Sequence, residues 1–162
     1  MKIGVLLKNP IIKNILSAVA VAVFGFILLN LTFLSDAIFQ NTIRWIIRLF
    51  IPLTTNTDLY WFPPLLHASF VVVIGIISWL VFRSKLRVIY KAIYMTVPLA
   101  VVLATLGIFF YRWPLAAYSL GSVFGISVLY YLYRTKQPWL YYYTVVLVGL
   151  TMAIFTLSGG EI

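Results

Sequence analysis

VIYKAIYMTVPLAVVLATLGIFFY, residues 88–111, holds one charged side chain, Lys91, in 24 positions. After Arg112, Trp113 and Pro114, a second apolar run, LAAYSLGSVFGISVLYYLY, fills residues 115–133. A helix crossing roughly 30 Å of hydrocarbon takes about 20 mostly apolar residues. Only helices or closed barrels satisfy their own backbone inside lipid. These runs are continuous rather than alternating, so they read as helices and not as barrel strands. The turn between them leaves no choice but an antiparallel pair.

Working outward, the same pattern recurs at residues 15–34, 65–82 and 139–157. The five spans predict an all-α, polytopic integral membrane protein forming a single transmembrane domain over residues 1–162. Composition agrees. The chain has 162 residues, 64% hydrophobic and 9% charged, with a mean hydropathy of +1.07. A soluble domain carries about 25% charged residues. Disorder is excluded by the hydrophobicity, and a disulfide scaffold by the absence of cysteine. Lys2, Lys8 and Lys13 precede the first run in the manner of a signal peptide. That run is too long for an h-region of about 7–15 residues and ends in no small-residue cleavage pattern. It is read as the first span.

Lysine and arginine set orientation. With the N-terminus in the cytoplasm, nine of the 12 basic residues (Lys2, Lys8, Lys13, Arg83, Lys85, Arg87, Lys91, Arg134 and Lys136) lie inside. Arg44, Arg48 and Arg112 lie outside with all three acids, Asp36, Asp58 and Glu161. The net charge of +9 therefore belongs to the inner face, and the C-terminus is expected outside. Trp45, Tyr60, Trp61, Tyr111 and Trp113 mark the outer edge as interfacial anchors. Trp79, Tyr90, Tyr94, Trp139 and the tyrosines between Tyr130 and Tyr143 mark the inner one.

Residues 35–64 form the one sizeable loop. Gln40, Asn41, Arg44 and Arg48 share a narrow arc, opposite Ile38, Phe39, Ile43, Ile46, Leu49 and Phe50. This predicts an amphipathic helix lying in the outer interface, N-capped by Asp36 and ended by Pro52. Its arginines suit phosphate recognition, so a lid for a lipid-like ligand and a re-entrant segment are the alternatives to a simple cap.

Few polar side chains enter the spans, and each is a candidate for function. His67 is the only histidine. It reads first as an interfacial residue bonded to a loop or an Asp, and second as a proton-transfer or ligand-contact group. As a catalytic acid or base it would need an orienting carboxylate, for which Asp58 and Glu161 are the candidates. The spacing of His, Asp and Glu matches no metal site, and no motif calls for a cofactor. Arg83, Arg87 and Lys91 share a face if the third span begins early. They are expected to meet anionic headgroups at the cytoplasmic side, or a lipid phosphate. Membrane burial argues against nucleic acid as a partner. Pro98 is expected to kink the third span. Thr144, Thr151 and Ser158 share a face and are expected to bond their own i−4 carbonyls. Ala117, Gly121 and Gly125 form a small-residue face suited to close helix packing, as do Gly149 with Ala153 and Ala18 with Ala22.

The absence of a phosphate-cradling glycine loop, of paired carboxylates and of a nucleophile motif leaves three readings. The first is a lipid-interacting or transport-associated subunit, in a homo-oligomer or a larger membrane complex, without catalytic chemistry of its own. The second is an outer-leaflet enzyme acting on a phosphate-bearing lipid or lipid-linked substrate, with His67 as acid or base and Arg44, Arg48 and Arg112 on the phosphate. The third is a small transporter or channel.

Overall fold

The computed structural model describes residues 9–50 and 62–157, and within them every regular element is a helix. The helices are α1 (Pro10–Phe50), α2 (Phe62–Arg83), α3 (Val88–Phe109), α4 (Pro114–Arg134) and α5 (Trp139–Leu157). Local signals explain the ends. Asn9 Oδ1 accepts from the Ile11 amide at 3.0 Å, an N-cap followed by Pro10 at the first helical position. Pro114 plays the same part in α4. At the end of α4, Gln137 N donates to Leu132 O at 3.0 Å and Lys136 takes φ 50°, a left-handed stop before Pro138. The α3 helix runs through Pro98 without interruption.

The cross-helix bonds order the bundle. Lys91 Nζ donates to Phe82 O at 2.7 Å, and Ser78 Oγ lies 3.2 Å from Tyr94 Oη, so α2 and α3 run antiparallel. Thr96 Oγ1 reaches Gly25 O at 3.4 Å, tying α1 to α3. Thr144 Oγ1 donates to Ala92 O at 3.2 Å, tying α5 to α3 near the starts of both. Thus α1, α3 and α5 point one way, with α2 and α4 opposed. The centre of the core is α3, whose Ala92, Met95, Leu99 and Ala100 meet Val21 of α1 and Tyr141, Val145 and Val148 of α5. Thr144 and Thr151 do bond Leu140 O and Leu147 O, four residues back; Ser158 lies outside the described residues.

Away from α3 the bundle is apolar on its outside. Leu115 is 82% exposed and Ile126 67%, and Phe, Ile and Leu project outward along every helix. Such a surface is unstable in water and suited to lipid. Four of the helices are long and apolar enough to cross a membrane, which suggests a membrane location.

Two expectations about the helices are corrected. The first span and the amphipathic segment are one uninterrupted helix of 41 residues, about 60 Å long at 1.5 Å per residue. Asp36 is not an N-cap but a mid-helix residue, because its carboxylate is used by side chains instead of by free backbone amides. Likewise α3 begins at Val88 and not earlier, so Arg83 closes α2, Arg87 occupies the cap of α3 and Lys91 sits inside it. These three do not form one helical face.

Candidate functional site

His67 lies in the second turn of α2 and is 8% exposed. Its Nδ1 is 3.2 Å from Asp36 Oδ2 on α1, and its Nε2 is 3.0 Å from Thr105 Oγ1 near the end of α3. Gln40, one turn after Asp36, donates from Nε2 to Asp36 Oδ1 at 3.0 Å. Thr105 Oγ1 in turn donates to Val101 O at 2.6 Å. One imidazole therefore joins three helices. The rings of Phe39 on α1 and Phe70 on α2, with centroids 5.7 Å apart, add an apolar contact between the same two helices. Among the described residues, the only carboxylate is bonded to the only histidine, and this is the one ion-pair geometry found.

The local sequence explains this arrangement. Asp36 and Gln40 are spaced i, i+4 on α1, so their side chains are neighbours. In apolar surroundings a carboxylate is tolerated when it is paired and hydrogen-bonded, and His67 with Gln40 supplies both. Of the carboxylates expected beside His67, Asp58 and Glu161 lie outside the described residues; Asp36 fills that place. The bond from His67 to an Asp is as expected, with Asp36 as the Asp; Thr105 is absent from the sequence reading. The i, i+4 pair of Asp36 and Gln40 was the available signal for Asp36. Thr105, one hydroxyl in an apolar run, offered none.

Chemically the cluster is an imidazole with a hydroxyl on one side and a carboxylate on the other. No group of three or more His, Cys, Asp or Glu side chains gathers anywhere among the described residues.

A second feature is a cleft of about 900 Å³ between α3, α4 and α5. Leu99 and Leu103 of α3, Phe124 of α4 and Val148 of α5 line it, with Gly121, Gly125 and Gly149 on its walls. The small-residue face of α4 is thus turned to open space. A methyl group added at Gly121 would reach Leu103 at 3.4 Å, and one at Gly125 or Gly149 would meet nothing within 4 Å. Within the chain, Gly125 of α4 and Gly149 of α5 are therefore not sites of close helix approach. The real close approach is at Gly25, where an added Cβ would lie 2.6 Å from Thr96 Cγ2.

Tyr111 lines the cleft at the α3–α4 turn. Its hydroxyl accepts from Arg112 Nε at 2.7 Å, and the guanidinium carbon stands 5.5 Å from the ring centroid. The hydrogen bond, and then the charge interaction with Tyr111, raise the Arg112 pKa above its usual value, so the cation is permanent. The other basic candidates are dispersed. Arg44 and Arg48 follow Asp36 and Gln40 at four-residue steps along α1. At the far end, Arg83 covers the Trp79 ring at 5.1 Å, and Lys91 is spent on the Phe82 carbonyl.

No family model matches the chain, and no curated protein or solved structure matches it either.

Proposed function

We propose that the chain is a five-helix integral membrane protein, N-terminus cytoplasmic and C-terminus outside, acting as a lipid-interacting subunit of a membrane assembly. The cleft carries the reading. It is apolar along α3, α4 and α5, left unfilled by the glycines that face it, and bordered at the α3–α4 turn by the cation of Arg112. An acyl chain suits the apolar walls, and a phosphate headgroup suits the guanidinium, which offers planar, bidentate donors. The occupant is accordingly an anionic phospholipid or another amphiphile with a phosphate head, drawn from the outer side. On the inner side, Arg87, Lys85, Arg134 and Lys136 meet anionic headgroups, and the nine-to-three division of basic residues orients the chain.

Native mass spectrometry of the gently extracted protein tests this. The parent chain should retain phospholipid in defined stoichiometry. The double variant Gly125→Leu/Gly149→Leu, which fills the cleft, should lose most of it while keeping its helicity. Arg112→Ala should still bind but prefer anionic lipid less. A folded cleft-filled variant that retains lipid as the parent does would reject the reading.

A further inference from the structure

The Asp36–His67–Thr105 chain can be counted proton by proton. Thr105 has one hydroxyl proton, and at 2.6 Å from Val101 O it is committed to that carbonyl. With that proton placed there, Thr105 Oγ1 is the acceptor in its 3.0 Å contact with His67, and Nε2 carries the proton of the bond. The 3.2 Å contact between Nδ1 and Asp36 Oδ2 needs a proton of its own. It sits either on the imidazole, giving an ion pair, or on the carboxyl, giving a neutral pair. Both descriptions contain one proton more than a neutral histidine beside a carboxylate.

We propose that Asp36 and His67 form a proton-binding site, and that the bound proton locks α1 against α2 and α3. When the site releases its proton to water, one imidazole proton remains for two contacts. If it stays on Nε2, the lone pair of Nδ1 faces a carboxylate and the Asp36 contact is repulsive. If it moves to Nδ1, Thr105 must turn its hydroxyl from Val101 O to Nε2. With the Thr105 hydroxyl proton kept on Val101 O, the three contacts coexist only with the proton bound. Release therefore opens one of them and leaves a net negative charge in a buried place. The lock holds at acidic pH and loosens as pH rises.

Among the described residues, few other charged or titratable groups stand near this pair. On α1 the polar groups facing it are Gln40 and, two turns beyond Asp36 along the same face, Arg44; Arg48 lies one turn further. On α2 the other titratable group is Arg83, at the opposite end. On α3 they are Tyr90, Lys91 and Tyr94, also toward the opposite end, with Arg112 beyond its last turn.

A single histidine makes the test direct. Protein labelled with 15N-histidine, in phospholipid bilayers, gives one Nδ1 and one Nε2 signal across about pH 5 to 8, the range in which histidine switches operate. The expected result is a protonated Nε2 at the acid end, giving way to a Nδ1–H tautomer or to a loss of the Asp36 coupling as pH rises. Thr105→Val, which removes the acceptor, should alter the Nε2 signal at the acid end. An unprotonated Nε2 at the acid end, or no change across the range, would overturn the proposal. Spin labels at exposed Ile38 of α1 and Val72 of α2 report the mechanical consequence. Their distance distribution should broaden at higher pH in the parent chain and be pH-independent in Asp36→Asn. A pH response that survives in Asp36→Asn would assign the motion to another group and refute the lock.

Discussion

Lys136 takes a left-handed backbone, φ 50°, where a helix stop ordinarily uses glycine. An L side chain there costs about 1–2 kcal/mol per residue. Its compensation is a complete set of backbone bonds: Thr135 N to Tyr131 O, Lys136 N to Tyr133 O and Gln137 N to Leu132 O. Lys136→Gly should therefore raise stability by about 0.5–1 kcal/mol, less than the full strain because glycine also frees the unfolded chain. Thermal unfolding in detergent measures it, and a lower midpoint would contradict the account. Single residues also show where sequence reading stops. Asp36 carries a strong local signal, since Asp in front of an apolar run resembles an N-cap. The structure overrides that signal through a partner 31 residues away, His67. His67 was legible as a candidate because it is chemically unique in the chain. Thr105 was not, because a threonine in an apolar helix usually just bonds back to its own turn, as this one does too.

Between helices, the decisive contact is the crossing of α1 and α3 at Gly25. Thr96 is 2% exposed, and its Cγ2 would lie 2.6 Å from a Cβ on Gly25, closer than real contacts allow. Gly25→Ala should cost about 1–3 kcal/mol, the range for overpacking a filled site. Thr96→Ser removes the offending methyl while keeping the hydroxyl that bonds Ile93 O at 2.7 Å. The double variant should recover most of the loss in chemical or thermal unfolding, and additive losses would show that the two residues do not meet. Periodicity placed α2, α3, α4 and α5 closely, because each is an apolar run with a proline or basic turn at its ends. It divided α1 wrongly. Past Asp36 the helix continues for residues 37–50, about 21 Å at 1.5 Å per residue, although its apolar run has ended. Local polarity marks where a helix leaves an apolar environment, not where its backbone hydrogen bonds stop. The small-residue faces show a related limit. Spacing identifies a face on which a backbone can be approached, but the contents of the space opposite Gly125 and Gly149 depend on other helices.

At the scale of the whole molecule, charge and packing describe the same axis. The starts of α3 and α5, with the ends of α2 and α4, gather Arg83, Lys85, Arg87, Lys91, Arg134 and Lys136 at one end of the bundle. The Asp36–His67–Thr105 cluster and Arg112 lie toward the other. A bundle with its helices alternating in direction has only two ways to sit in a bilayer. Retaining basic residues on the cytoplasmic side favours the one with the α2–α3 and α4–α5 turns inside. The native chain lacks cysteine, so single introduced thiols report sidedness without background. In intact cells, Ser84→Cys and Thr135→Cys should resist a membrane-impermeant maleimide and react only after permeabilisation. Trp113→Cys, in the α3–α4 turn and exposed, should react at once. The reverse pattern would invert the molecule. It would place Arg112 in the anionic cytoplasmic leaflet and turn the proposed proton site toward the cytoplasm. The labelling therefore decides which compartment the Asp36–His67 pair lies toward, as well as which way the chain points.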